Sequence, residues 1–223
     1  MLVCGSTVEG EEPLLLKAFE NVLVAHPRAV MVLAPRHPER FDTVAALLTQ
    51  LELPFQRRTL WTTGDGGIGE KNTNALVGGV LLVDTIGELA ALYALADVAF
   101  VGGSLVPHGG HNIIEPAQYG VAIVVGNHTE NFRDIVSLFQ SRDAVRIVGM
   151  AELPLALMEL LANPAERDAL GQRAAETLRS RTGTTAAEAT GTTTGTTTGP
   201  PTGATQRTVE ALENLLIARR VTD

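Results

Sequence analysis

Seven short runs of apolar, largely β-branched residues recur along the first 150 positions of this chain. They are LVCG at 2–5, AVMVLA at 29–34, a run near Phe55, VLLVD at 80–84, DVAFVGG at 97–103, VAIVV at 121–125 and AVRIV at 144–148. Between them lie amphipathic stretches with helical spacing, at 14–25, 41–51, 89–96, 112–119 and 132–139. Strands that alternate with helices in this way predict βαβ units and hence a doubly wound parallel sheet, an α/β fold. The strands are apolar almost without interruption, as expected where helices cover both faces of a sheet. Ligands of such sheets bind at the carboxyl ends of the strands, so each strand-to-helix loop is a candidate site.

A length of 223 residues with 45% hydrophobic content suffices for one large α/β domain or two small ones. The formal charge of -8 leaves no diffuse basic surface, so no nucleic-acid partner is expected, and any phosphate must be held locally. The longest apolar runs, such as 117–125, are broken by Gly, Gln and Tyr and fall short of the roughly 20 residues that cross a bilayer. The opening MLVCGSTVEG has neither the basic nor the long apolar region of a signal peptide, which makes the cytoplasm the expected compartment. The single cysteine, Cys4, lies in an apolar run and reads as a buried structural thiol.

The Gly-, Thr- and Asn-rich residues 62–79 read as a surface loop. After Pro164 a polar helix is expected to about Arg179, giving a first domain over 1–182. A Thr/Gly-rich stretch, 183–203, is too poor in apolar residues for a core and reads as a linker. The remaining 204–223 carries Val209, Leu212, Leu215 and Leu216 at helical spacing, the pattern of a docking helix.

FVGGSLVPHGGHNIIEPAQYG, from Phe100, is the most informative segment. A buried strand ends in Gly102 and Gly103; a second pair, Gly109 and Gly110, precedes His111, Asn112 and a helix carrying Glu115. Glycines permit close backbone approach, and amides at a helix start attract an anion, so a phosphate ester fits there. Glu115, expected one turn into the helix, can accept hydrogen bonds from ribose hydroxyls. The plainer alternative is tight turns and an acid that merely complements the helix dipole.

Four more loops point to the same edge. In APRHPER, two prolines hold the chain extended and present Arg36, whose fork of donors suits a phosphate or a pyrimidine carbonyl; the alternative is an ion pair with Glu39 or Glu9. In VDTIGEL, Ile86 and the open backbone of Gly87 could hold a base edge, while Asp84 or Thr85 could equally be an N-cap. GSTVEGEE presents Ser6, Thr7 and Gly10, as ligand contacts or as caps of the first helix. GNHTENFRDI offers His128, Thr129, Glu130 and Asn131. No histidine spacing suits zinc, and there is no GxSxG elbow or GxxxxGK[ST] loop, so neither a metal nor a cofactor is expected.

Taken in order, STVEGEE, PRHPERF, DTIGELAALYALADVAFVGGS, GGHNIIEPA and GNHTENFRDI closely resemble the C-terminal domain of the Kdo (3-deoxy-D-manno-octulosonic acid) transferases, glycosyltransferases of GT-B architecture. The resemblance runs from about Gly5 to Ile135, with Val8 where relatives commonly carry the histidine of STHEGEE. It implies a Rossmann-like half of a GT-B enzyme whose donor substrate is CMP-Kdo, used without a metal. Arg36, the backbone of Ile86 and Gly87, Gly110, Asn112 and Glu115 would hold the CMP moiety, with Ser6 near the donor sugar. The general base, the lipid A precursor as acceptor, and contact with the cytoplasmic face of the bacterial inner membrane would belong to an N-terminal acceptor domain absent from this sequence. No catalytic residue is therefore assigned, and Glu9, Glu11 and Glu12 are not given the base's role. Two other readings stand beside this one: a stand-alone nucleotide-binding module without transferase activity, and another GT-B enzyme using a UDP-sugar.

Overall fold

Strands β1 (Leu2–Thr7), β2 (Met31–Pro35), β3 (Phe55–Arg57), β4 (Val80–Leu82), β5 (Val98–Val101), β6 (Ala122–Val125) and β7 (Arg146–Ile147) make one seven-stranded sheet. The computed structural model describes residues 1–61, 76–182, 208–210 and 212–213. Every strand pair is parallel, in the order β3-β4-β2-β1-β5-β6-β7. The expected doubly wound α/β sheet is thus what the chain forms, the fold of half a GT-B glycosyltransferase. The chain builds β2, β3 and β4 on one side of β1, then crosses to build β5, β6 and β7 on the other. The order reverses between β1 and β5, where Gly5 is in register with Val101, and in sheets of this kind ligands bind beyond the carboxyl ends of the strands at such a reversal.

Helices α1 (Glu12–Ala25), α2 (Phe41–Gln50), α3 (Leu89–Tyr93), α4 (Ile114–Gln118), α5 (Arg133–Ser141), α6 (Leu153–Ala162) and α7 (Pro164–Thr182) cover the sheet. The two-residue side-chain alternation divides each strand between two cores. Leu2 and Cys4 of β1 join Met31, Leu33 and Phe100 under Leu15, Leu16 and Phe19 of α1, Leu48 of α2 and Leu157 of α6. Val3, on the opposite face, packs with Val32, Leu81, Ala99, Trp61 and Tyr93, and Leu212 of the C-terminal segment joins them. A third cluster seats Ile113, Ala117, Ile135, Phe139 and Ala174 on Ile123 and Val125 of β6. Each such buried Leu, Phe or Ile contributes about 1.5–3 kcal/mol relative to exposure.

Four elements differ from the expectation. Helices α3 and α4 are shorter than 89–96 and 112–119, because residues 94–95 and 119 form turns and 96 and 112–113 have no regular structure. β7 keeps only two residues of AVRIV. Helix α6, LPLALMELLA, was not foreseen: it is apolar almost all round and lacks a polar stripe, yet it packs on α1. Of the loop expected at 62–79, only 76–79 is described; there Leu76 is buried and Gly78 takes a positive φ of 73°. The proposed linker, 183–203, lies outside the described residues. Among those described, no helix is long and apolar enough to cross a membrane.

Candidate functional site

Ser6, the last residue but one of β1, has a φ of 55°, which L-residues with a Cβ rarely adopt. It sits at the irregularity where β1 leaves register with β2 between Gly5 and Thr7. Strain of this kind costs about 1–3 kcal/mol and concentrates at functional positions. Immediately beyond, the Thr7 carbonyl accepts the Arg36 backbone N–H at 2.9 Å, which joins the loops after β1 and β2.

Arg36 is exposed, and the acids named as its alternative partners are engaged elsewhere. Glu39 faces His37 at 3.9 Å and Glu9 faces Arg40 at 3.7 Å. Among the described residues Arg36 forms no ion pair within 4.0 Å, yet it acts electrostatically on His111, in the loop after β5, and on Glu115, in the first turn of α4. Burial raises the pKa of Glu115 and Arg36 opposes that rise. Burial lowers the pKa of His111, and Arg36, His108 and His37 lower it further. Arg36, His111 and Glu115 therefore share one electrostatic environment at the carboxyl edge of the sheet.

The segment between β5 and α4 is a tight double turn. Gly103, Gly109 and Gly110 have φ values of 71°, 91° and 77°. Gly110 donates its N–H to the Gly103 carbonyl at 2.6 Å, and a Cβ on Gly110 would stand 3.1 Å from the His128 carbonyl oxygen. Gly110 is required by this protein contact and by its positive φ, a reason additional to any ligand. Asn112 accepts the Ile114 N–H on Oδ1 at 3.0 Å and so caps α4 from two residues before it. Glu115 lies in the first turn of α4 rather than one turn in, half-buried and beside the wholly buried Tyr93. The Nε2 of His111 is buried without a partner among the described residues.

On the other flank Ile86 is 74% exposed, and Gly87, with a φ of 89°, has nothing within 4 Å of the space its Cβ would take. Neither residue is explained by packing. Helix α3, which follows them, packs on α4, so this loop and Glu115 belong to one edge. Asp84 is not an N-cap: its buried carboxylate accepts from Arg57 Nε at 2.7 Å, and from the backbone N–H and hydroxyl of Thr59 at 2.8 and 2.6 Å. Burial acts to raise its pKa, but the Thr59 and Arg57 hydrogen bonds outweigh it and hold the carboxyl below its usual range. Glu88 likewise accepts from Arg58 at 2.8 Å and from Thr208 at 3.1 Å. The loop with Ile86 and Gly87 is thus anchored at both ends by buried acids.

The remaining sequence candidates are structural in part. Asn131 donates from its backbone N–H to the Gly109 carbonyl at 2.9 Å and from its amide to the His108 carbonyl at 3.1 Å, clamping the glycine turn. Thr7 donates to Glu12 at 3.2 Å, and Glu12, wholly buried, also takes Arg40 at 3.0 Å. Cys4 is buried, and burial followed by the nearby Glu11 charge pushes its thiol pKa upward. Glu11 carries no distinguishing signal in the sequence, because acids at a helix start are ordinary complements of the helix dipole. His108 and His111 have ring centroids 6.0 Å apart, but among the described residues no group of three His, Cys, Asp or Glu is placed to hold a metal.

No family model matches the chain. The 3-deoxy-D-manno-octulosonic acid transferase of Haemophilus influenzae is 36% identical over 183 residues, covering 81% of this chain and 40% of that protein. The enzyme of the same name from Bordetella pertussis is 37% identical over 226 aligned positions, covering 97% of this chain and 45% of its own length. The chain therefore spans less than half the length of these relatives. The crystal structure of the C-terminal CMP-Kdo binding domain of WaaA from Acinetobacter baumannii superposes with a TM-score of 0.71 and 36% identity, covering 80% of this chain and 88% of that domain. At that identity and coverage, the chain belongs to the family of C-terminal domains of 3-deoxy-D-manno-octulosonic acid transferases.

Proposed function

We propose that this domain binds CMP-Kdo and serves as the donor half of a Kdo transferase. What supports the reading is that the Arg36 charge acts on both Glu115 and His111, the latter within the 110–112 turn, in a chain 36% identical to a domain described as binding CMP-Kdo. Each group has a task suited to its chemistry. Glu115, whose burial-raised pKa Arg36 opposes, accepts from the ribose hydroxyls. Arg36 and the amides around Gly110 and Asn112 meet the phosphate. The exposed Ile86 and bare Gly87 backbone line the cytosine, and Ser6 stands toward the sugar.

In the transfer, an acid on an acceptor-bearing domain deprotonates a hydroxyl of the lipid A precursor, which attacks the anomeric carbon as CMP departs. This domain's share is electrostatic: Arg36 and the turn amides stabilise the charge that grows on the leaving phosphate. Because the acceptor is a lipid, the complete enzyme works at the cytoplasmic face of the inner membrane, with the acceptor half providing membrane contact. Calorimetric titration with CMP, UMP and UDP tests the reading. Saturable binding that prefers CMP is expected; equal or stronger binding of UDP would overturn it in favour of a UDP-sugar enzyme.

A further inference from the structure

One buried side chain outside the set just assigned joins two loops of this edge. Glu11, wholly buried at the start of α1, has both carboxylate oxygens filled by backbone N–H groups. Oε1 accepts from Ser104 and Leu105, each at 2.8 Å; Oε2 accepts from Gly103 at 2.7 Å and Val8 at 3.1 Å. Successive amides converging on one anion form a nest, the device by which loops of Rossmann-like sheets take a ligand phosphate. Here the nest at the end of β5 is occupied from within the chain, so its 103–105 amides are not available to a donor phosphate.

The nest also supports the next turn. Gly103, whose N–H is bound by Glu11, accepts the Gly110 N–H on its carbonyl at 2.6 Å. A Cβ on Gly103 would stand 2.9 and 3.0 Å from Cδ2 and Nε2 of His111, so the imidazole lies directly on this residue. The other end of the Glu11 clamp, Val8, follows Ser6 by two residues. One carboxylate thereby sets the spacing between the strained Ser6 loop and the Gly110 to Asn112 turn.

We propose that Glu11 is a positioning residue of the donor site: an internal carboxylate that stands where a ligand anion would and holds the 110–112 turn at the height the donor phosphate requires. This deepens the donor-binding reading and rests on it. Glu11→Gln keeps the shape but turns an NH2 toward one of the two amide pairs. Glu11→Ala removes a fragment the size of acetate. Glu12→Gln is the control, since Glu12 is as deeply buried but pairs with Thr7 and Arg40 instead.

The test uses the full chain, with CMP titration and NMR of the Gly110 amide and the His111 ring. Glu11→Gln is expected to lower CMP affinity about tenfold or more, as misplaced phosphate contacts would, and to shift both resonances. Glu12→Gln is expected to lower the Tm while leaving both readouts unchanged. Acetate, and not chloride at equal ionic strength, is expected to restore the Glu11→Ala resonances. Wild-type resonances at Gly110 and His111 in Glu11→Gln, or no distinction between acetate and chloride in a folded Glu11→Ala, would overturn the proposal. Should Glu11→Ala not fold, the Glu11→Gln spectrum decides. If the wild-type chain does not bind CMP, the donor reading fails, whereas these resonances still decide the role of Glu11.

Discussion

Arg36, one residue past β2, opposes the rise that burial imposes on the carboxyl pKa of Glu115 in the first turn of α4. One residue lies in the loop after β2 and the other in the helix that follows β5, and only the shared edge of the sheet brings them into each other's field. Their pairing ties charge, and hence pH, to the proposed site.

Arg36→Ala removes both a phosphate donor and this opposing charge. Loss of a charge-assisted hydrogen bond, at about 1.5–3 kcal/mol, corresponds to roughly a ten- to hundredfold weaker CMP affinity. The Glu115 pKa should rise further in this variant, so the pH below which CMP binding declines should move upward. Calorimetry across the weakly acidic range checks both, and an unchanged affinity would remove Arg36 from the site.

Glu115→Gln separates binding from stability. The folded-state pKa of Glu115 is raised above its ordinary value, so between the two values the native state binds more protons than the unfolded one. Stability therefore falls as pH rises through that window. Removing the ionisable group should leave the Tm at neutral pH equal to or above that of the wild type, and should flatten its decline with rising pH. CMP affinity should nevertheless drop, because an amide is a poorer partner for ribose hydroxyls than a carboxylate. A clear loss of Tm at neutral pH would contradict this account.

Asp84→Ala leaves Arg57 and Thr59 without their buried acceptor and should destabilise the domain by about 2–4 kcal/mol. Because the folded pKa of Asp84 is depressed, its contribution is present above the ordinary carboxylate pKa and is lost as pH falls through the folded value. The variant should accordingly show a weaker acid dependence of unfolding than the wild type. Denaturant titrations at neutral and acidic pH provide the measurement, and parallel losses at both would argue against the assigned network.

Gly171→Ala tests packing against propensity. In a helix interior this change ordinarily stabilises by about 1 kcal/mol. In α7 the new methyl would collide with the Gly120 carbonyl oxygen and crowd Val121, in the turn that feeds β6. A net loss of about 1–3 kcal/mol is expected, as for overpacked cores. A raised Tm would show that α7 can shift outward without cost.

The sequence by itself determined the sheet and its loops. Alternating apolar runs and helical stretches are local patterns, and they identify seven strands, their covered faces and the strand-end loops without knowledge of strand order. The glycine pairs before Asn112 and the prolines around Arg36 were visible because backbone restrictions are written in residue type. Helix α6 was hidden because an element apolar nearly all round has no periodicity to read.

What only the tertiary structure decided is which polar groups serve the protein and which remain for a ligand. In sequence, Glu11, Glu12, Asp84, Glu88 and Glu115 are equivalent acids near strand ends. Folded, the first four are buried and spent on backbone amides, Arg40, Arg57 and Arg58, while Glu115 keeps a half-open position under the influence of Arg36. The physical reason is that burial penalises an unpaired charge, and pairing depends on loops made adjacent by the strand order, which no local pattern encodes.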